Sequence, residues 1–154
     1  MEKNLPSKSA KMPMLELILM IGVFAIISTF LLEMFLVANT LQEKAKDRGK
    51  AVLLSETIAE TIKGSDNLEQ GIQAMKLKSL DGQGTGYGMY LDKKWNAVEQ
   101  ESAYLVRLCP VDEAEEGLET YEVYVERSKG YTSLFSKSSK QEIYRLTFSK
   151  YRVN

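Results

Sequence analysis

One long run of apolar residues dominates the hydrophobic pattern of this chain. It contains no charged residue over positions 17–32. If Glu16 and Glu33 are accepted near its edges, the run extends over residues 14–38. A helix needs about 20 predominantly apolar residues to cross the hydrocarbon core of a bilayer. The run therefore predicts a transmembrane helix, with a fully buried helix of a soluble domain or a cleaved secretory signal peptide as the alternatives.

The helical pattern continues beyond the apolar run, but it becomes amphipathic. Residues on one face recur at alternating spacings of four and three, while charged residues fill the opposite face. This face consists of Leu41, Ala45, Arg48, Val52, Ser55, Ala59 and Ile62, widened by Leu54 and Ile58. No proline interrupts residues 14–63, and Gly64 is a typical residue at the end of a helix. The sequence predicts one continuous helix, apolar in its first half and amphipathic in its second.

Towards the C-terminus the pattern changes to the two-residue alternation of β-strands. Four runs rich in Tyr, Val and Phe, bounded by turn residues, lie at positions 87–91, 103–109, 119–127 and 142–151. Their short connections indicate an antiparallel meander with one apolar face, and a sheet this small needs a cover for that face. The amphipathic half of the helix supplies one. We therefore predict an α+β fold: a long N-terminal helix, transmembrane in its first half, packed on a roughly four-stranded antiparallel sheet.

The composition gives no support for catalysis or for nucleic-acid binding. Lysine and arginine number 20 against 21 acidic residues, so the net charge is −1 and no basic excess is present. Histidine is absent, which excludes imidazole-activated nucleophiles and histidine-ligated metals. The single cysteine, Cys109, excludes an internal disulfide, and we interpret it as a small buried residue. We expect no enzymatic activity, no catalytic residue, no metal site, no cofactor and no nucleic-acid partner.

Several local sequences could carry binding chemistry, and each has a simpler interpretation. The four glycines within residues 82–88 lack the strand and helix that flank a phosphate-binding loop, so we interpret them as a flexible connection. The acidic residues within 112–116 lack EF-hand spacing and are interpreted as a solvated loop. Trp95 is interpreted as a residue that packs against the sheet. Leu134 and Phe135 lie in a loop that could contact a partner.

The charges that flank the apolar run indicate its orientation. Lys3, Lys8 and Lys11 precede it against Glu2 alone, which favours a cytoplasmic N-terminus. Residues 42–50 after the run are also basic, so the charge rule alone does not decide the orientation. The short segment before the run makes a cytoplasmic N-terminus the simpler outcome. We predict a single-pass protein of the cell membrane. It has a basic cytoplasmic leader over residues 1–11, a transmembrane helix over 12–40, an amphipathic continuation of that helix over 41–63, and an extracytoplasmic β-meander head over 64–154.

Residues 11–32, which read KMPMLELILMIGVFAIISTFLL, resemble the N-terminal segment of type IV pilins and of the pseudopilins of type II secretion. In that family a short basic leader ends in glycine. The mature chain then begins with an apolar residue and carries a glutamate at its fifth position, before an apolar run. On this match Met12 is the first mature residue and Glu16 the fifth. Two residues depart from the pattern: Lys11 stands in place of the leader glycine, and Pro13 occupies the second mature position.

The resemblance implies a structural subunit that assembles by helix packing into a pilus, a secretion pseudopilus or a competence structure. It implies leader cleavage between Lys11 and Met12, with methylation of the new N-terminus. It also implies that the Glu16 carboxylate pairs with the α-amino group of Met12 in a neighbouring subunit. The implied partners are other pilin-like subunits, a prepilin peptidase, a membrane assembly platform and the lipid bilayer. If the leader is retained, the alternative is a signal-anchored extracytoplasmic binding module that does not assemble.

Overall fold

A computed structural model describes residues 11–80, 86–111, 117–131 and 140–151, with side chains from residue 13 onwards. The chain divides into two compact units, Met1–Leu41 and Gln42–Asn154. Helix α1 spans Lys11–Gly64 and contributes to both units. The continuous helix predicted from the sequence is therefore confirmed. Pro13 is tolerated because the first N–H groups of a helix have no intrahelical acceptor.

The described part of the first unit is the apolar half of α1. Its large side chains are exposed, and none of its most apolar stretch is buried within the protein. The helix is long and apolar enough to cross a membrane. Two of its hydroxyl groups form local hydrogen bonds: those of Thr29 and Thr40 donate to the carbonyl oxygens of Ala25 and Leu36, one helical turn earlier.

The second unit contains the remainder of α1, a short helix α2 (Leu68–Ala74) and an antiparallel sheet. Within the described residues the strands are β1 (Lys78–Ser79), β2 (Tyr87–Leu91), β3 (Ala97–Val98), β4 (Tyr104–Val111), β5 (Leu118–Arg127) and β6 (Gln141–Tyr151). The order is β1-β2-β4-β5-β6, and β3 also pairs with β2. The predicted α+β fold is confirmed, and the four predicted strands correspond to β2, β4, β5 and β6. The predicted strand number was too low, because β1 and β3 are two-residue strands and too short to show an alternating pattern.

The core of this unit lies between the second half of α1 and one face of the sheet. Ile58 and Ile62 of α1 are fully buried and belong to the same hydrophobic cluster as Val106 of β4 and Val123 of β5. Alternate residues of β5 point into this cluster, as the two-residue pattern predicted. Strand β2 lies so close to β4 at Gly88 that a Cβ atom at this position would lie 2.4 Å from the carbonyl oxygen of Val106. Only glycine fits at this position.

The buried face of α1 differs at its start from the predicted face. Ser55, Ala59 and Ile62 are buried as expected, but Leu41, Ala45 and Arg48 are exposed. The face instead begins with Asp47 and continues through Ala51. The periodicity argument assigned Asp47 to the solvated face. It failed at this residue because the sheet supplies hydrogen-bond donors to the buried carboxylate.

The C-terminal end of α1 is held by the last strand. Lys150 of β6 donates hydrogen bonds from its ammonium group to the carbonyl oxygens of Ile62 and Ser65. The last carbonyls of a helix have no intrahelical partner, and a cation placed near them also complements the negative end of the helix dipole. This contact joins the last turn of α1 to β6.

Candidate functional site

The residues predicted to direct assembly all lie at the start of α1. Lys11 and Met12 form its first turn, and Glu16 follows on the same helix. The side chains of Lys11 and Met12, and all of residues 1–10, lie outside the described part of the structure. The side chain of Glu16 is exposed among the exposed apolar residues Leu15 and Leu17.

Glu16 and Glu33 are two carboxylates carried by an otherwise apolar surface. Neither forms an ion pair with any residue that the structure describes. A charged side chain at the centre of a bilayer costs about 2.5–3.5 kcal/mol, and less near the interface. If this half of α1 is immersed in lipid, each carboxylate therefore needs a cation, water or lipid headgroups supplied from outside the chain.

A polar site in the second unit, which the sequence pattern did not reveal, is built around a buried carboxylate. Asp47 is only 4% exposed. Its Oδ1 accepts a hydrogen bond of 2.9 Å from the hydroxyl of Tyr104. Its Oδ2 accepts from Nη1 of Arg127 at 2.9 Å and from the hydroxyl of Tyr131 at 3.0 Å. Arg127 also donates from Nη2 to Glu43 at 2.8 Å. We call these five residues the Asp47 cluster.

Charge and aromatic stacking reinforce the Asp47 cluster. The guanidinium carbon of Arg127 lies 4.3 Å from the ring centroid of Tyr131 and 5.8 Å from that of Tyr104, within the range of cation–π attraction. Burial, together with the hydrogen bond to Asp47, raises the pKa of Tyr131 to about 12. The same causes raise the pKa of Tyr104 further. Both hydroxyls therefore stay protonated at neutral pH and act as donors to the carboxylate.

The Asp47 cluster joins four parts of the second unit. Asp47 lies on α1, Tyr104 begins β4, Arg127 ends β5, and Tyr131 lies in the segment after β5. Three donors, one of them the charged guanidinium of Arg127, bind the Asp47 carboxylate. A buried charge is tolerated when it is paired and hydrogen-bonded in this way. The arrangement fixes the helix to one end of the sheet.

A cleft of about 840 Å³ lies beside the Asp47 cluster. It is lined by α1, by the turn after β2, by the residues before β4 and by those after β5. Four of its lining residues are lysines, and one is tryptophan: Lys46, Lys50, Lys93, Lys129 and Trp95. We call this feature the basic cleft. Sequence reasoning missed it because its lysines are scattered along the chain and only the fold brings them together.

Trp95 lies in the turn between β2 and β3 with an unusual backbone conformation. Its φ of 70° lies in the left-handed region, which costs a residue with a side chain about 1–2 kcal/mol. Asp92 holds this turn: its carboxylate accepts from the backbone N–H groups of Lys94 and Asn96. The indole ring stacks on Tyr104 with a centroid distance of 4.4 Å, which agrees with the packing role expected of it. The stacked ring offsets part of the backbone cost.

Several expectations concern residues beyond those with a described structure. Residues 81–85 of the glycine-rich connection, the acidic residues within 112–116, and Leu134 and Phe135 all lie there. Cys109 is half-buried in β4. Among the residues that are described, no group of three His, Cys, Asp or Glu side chains is placed to hold a metal ion.

The described structure thus combines two structural features. A long N-terminal helix is apolar and exposed in its first half, and its second half packs on an antiparallel sheet, where the Asp47 cluster anchors it. This architecture is compatible with that of pilin-like proteins. Comparison with known proteins finds no family model, no curated protein and no solved structure that matches the chain.

Proposed function

We propose that this protein is a pilin-like or pseudopilin-like structural subunit. In this proposal the first half of α1 anchors the chain in the cell membrane and then packs against the helices of other subunits in a filament. The observation that carries the proposal is the exposure of the entire apolar stretch of α1, in a chain whose second unit has a hydrophobic core. A large exposed apolar surface indicates a site of association with lipid or protein.

Glu16 gives the proposed assembly its specificity. A carboxylate in hydrocarbon is costly alone, but it is tolerated when an opposite charge neutralises it at short range. The α-amino group that leader cleavage would create at Met12 of a neighbouring subunit is such a charge. Because the two groups lie at fixed positions near the start of α1, their pairing would set the axial register between subunits.

The orientation in the proposal follows the lysines that precede the apolar run. The N-terminus lies in the cytoplasm, and the sheet lies on the opposite side of the membrane. The Asp47 cluster supports a structural role because it couples the helix to the sheet through a buried ion pair and two tyrosine hydroxyls. A subunit that is moved by its helix needs such a coupling if its head is to follow.

The proposal is tested by comparing Glu16→Ala with Glu33→Ala in cells that produce the protein and its own assembly partners. Both changes remove one carboxylate from the apolar half of α1. We expect Glu16→Ala to retain membrane insertion, measured by resistance to carbonate extraction, and to disappear from the sheared filament fraction. Glu33→Ala should be recovered in that fraction at the wild-type level.

Two results would remove the proposed mechanism. The first is unchanged incorporation of Glu16→Ala into filaments. The second is a wild-type protein that retains Met1 and stays monomeric in the membrane when neighbouring helices are probed by crosslinking. The second result would instead support a membrane-anchored binding module that does not assemble.

A further inference from the structure

The basic cleft carries positive charge that forms no ion pair with the part of the chain that the structure describes. Lys46 and Lys50 enter it from α1, Lys93 from the turn after β2, and Lys129 from the segment after β5. Within residues 11–80, 86–111, 117–131 and 140–151, none of the four ammonium groups forms an ion pair. Unpaired charges of one sign around a concave surface raise the local concentration of ligands of the opposite sign.

The carboxylates that line the basic cleft already have partners. Glu43 and Asp47 both bind Arg127, and Glu101 lies 3.9 Å from the ammonium group of Lys140. With respect to the residues that the structure describes, the lysines of the cleft are therefore available for an anionic ligand.

Trp95 adds an amphipathic surface to this positive charge. The turn built by Asp92 holds its backbone at a φ of 70°, and its indole stacks on Tyr104 at the edge of the cleft. The ammonium nitrogen of Lys50 lies 5.9 Å from the centroid of the indole ring. Tryptophan and lysine side chains together are typical of protein surfaces at the level of lipid headgroups.

The connection of the basic cleft to the apolar half of α1 indicates the source of the anion. Lys46 follows Leu41, the last residue of the first unit, so closely in sequence that even an extended chain could separate them by no more than about 18 Å. A ligand present in the membrane that holds the apolar half is thus offered to the cleft at high effective concentration. Anionic lipids attract juxtamembrane lysines in this way.

We propose that the basic cleft binds the phosphate headgroup of an anionic lipid in the membrane that anchors the protein. Lys46, Lys50 and Lys93 contact the phosphate as point charges, and Trp95 lies against the glycerol and upper acyl region. This inference rests on the membrane anchorage of the proposed function. It does not depend on filament assembly.

The single tryptophan of the chain provides the measurement. The full chain is placed in lipid nanodiscs of phosphatidylcholine in which phosphatidylglycerol replaces an increasing share of the lipid. A trace of lipid with a spin label on its headgroup quenches the fluorescence of Trp95. We expect quenching to increase with the share of phosphatidylglycerol and to decrease at high salt, because salt screens exposed charges.

Two variants with the same change in charge distinguish binding at the cleft from a general attraction between the protein's positive charge and anionic lipid. Lys46→Gln/Lys50→Gln/Lys93→Gln removes three lysines of the cleft. Because each lysine near an anionic surface contributes a factor of about five in affinity, this variant should need at least five times more phosphatidylglycerol for half-maximal quenching. Lys63→Gln/Lys76→Gln/Lys78→Gln, with three exposed lysines outside the cleft, should respond as the wild type does.

Flotation with phosphatidylcholine vesicles distinguishes failure of the cleft from failure of the anchor. A protein that does not float lacks the anchorage, and both proposals are overturned. If the protein floats, but the cleft variant shows the same quenching as the wild type, the lipid site alone is overturned. The lipid assignment is also overturned if millimolar inorganic phosphate, added to pure phosphatidylcholine nanodiscs, shifts Trp95 emission as fully as phosphatidylglycerol does.

Discussion

The two halves of α1 have the same backbone structure but cover their apolar side chains differently. In the first half the large apolar residues are exposed on all sides, as at Phe24 and Phe35. In the second half a single stripe is apolar, and Ile58 and Ile62 within it are fully buried. The second half finds its cover within the chain. The first half has no cover in its own unit and requires one from lipid or from other subunits.

The acidic residues of the two halves show the same difference. Asp47 in the second half accepts three hydrogen bonds from the sheet side of its unit. Glu16 in the first half has no ion-pair partner among the described residues. Within one helix, therefore, one carboxylate is satisfied by folding and the other depends on the environment or on assembly. Variants in each half should consequently affect different measurements.

The largest effect on stability is expected at Asp47. Asp47→Ala leaves the guanidinium of Arg127, whose side chain is 17% exposed, without its buried partner and removes the acceptor of two tyrosines. Loss of one member of a buried ion pair costs about 3–5 kcal/mol. Urea unfolding of the full chain in detergent, followed by Trp95 fluorescence, measures the change in free energy.

Glu43→Gln is the matched control for that variant, because Glu43 binds the same arginine. Its side chain is 50% exposed, and a pair of this kind contributes about 1 kcal/mol or less. Equal losses in the two variants would show that burial does not distinguish the two carboxylates.

A slightly smaller effect is expected from a charge in the apolar half. Phe24→Arg should raise the free energy of membrane insertion by about 2.5–3.5 kcal/mol and reduce the fraction that resists carbonate extraction. Leu53→Arg introduces the same charge at an exposed position of the second half, where surface changes usually alter stability by about 0.5 kcal/mol or less. If the fraction of Phe24→Arg that resists carbonate extraction equals that of the wild type, the result would contradict a membrane-spanning first half.

Tyr131 should give an intermediate effect that depends on pH. Tyr131→Phe removes a hydrogen bond to a buried carboxylate and should lower the free energy of unfolding by about 1.5–3 kcal/mol near neutral pH. The pKa of Tyr131 in the folded protein is about 12, above its ordinary value of 10. The protonated hydroxyl is therefore favoured by folding. Its contribution is complete below pH 10 and is lost as the pH rises to about 12 and beyond.

Urea unfolding as a function of pH measures this contribution as the difference between wild type and Tyr131→Phe. The difference should shrink between pH 10 and about 12, over the range in which the hydroxyl titrates. Tyr151→Phe, at a tyrosine that is 78% exposed, should match the wild type throughout. A difference for Tyr131→Phe that stays constant up to pH 12 would contradict the assigned hydrogen bond.

The smallest effect is expected at Ser55 and has the opposite sign. Its hydroxyl is buried and has no hydrogen-bond partner within the described residues. Ser55→Ala removes an unsatisfied polar group and improves helix propensity, so the free energy of unfolding should rise by about 1 kcal/mol. Thr57→Ala, on the exposed face, should change it by about 0.5 kcal/mol or less. A loss of stability in Ser55→Ala would show that the hydroxyl has a partner.

The sequence was sufficient for the elements that carry a long, regular pattern. The apolar run and the heptad-like spacing identified α1, and two-residue alternation identified β2, β4, β5 and β6. The strands β1 and β3 contain two residues each, so no alternation could reveal them. The exposed apolar half of α1 was also predictable, because its composition alone exceeds what a buried helix of this chain could use.

The Asp47 cluster and the basic cleft could not be predicted, because they depend on long-range contacts. Asp47 is separated in sequence from Tyr104 by 57 positions, from Arg127 by 80 and from Tyr131 by 84. Helical periodicity places an aspartate on the solvated face unless the fold supplies donors. The left-handed backbone of Trp95 could not be predicted either, because only the turn built by Asp92 fixes it.

The most direct test of the account is the N-terminal sequence and intact mass of the protein purified from the membranes of the cells that produce it. The account predicts a membrane protein that begins at Met12, with a free or methylated α-amino group available to the Glu16 carboxylate of a neighbour. A chain that begins at Met1 would leave Glu16 without that amine and contradict the assembly mechanism. A chain that begins near Leu41 would mean that the apolar half of α1 is removed, and it would contradict the membrane anchor as well.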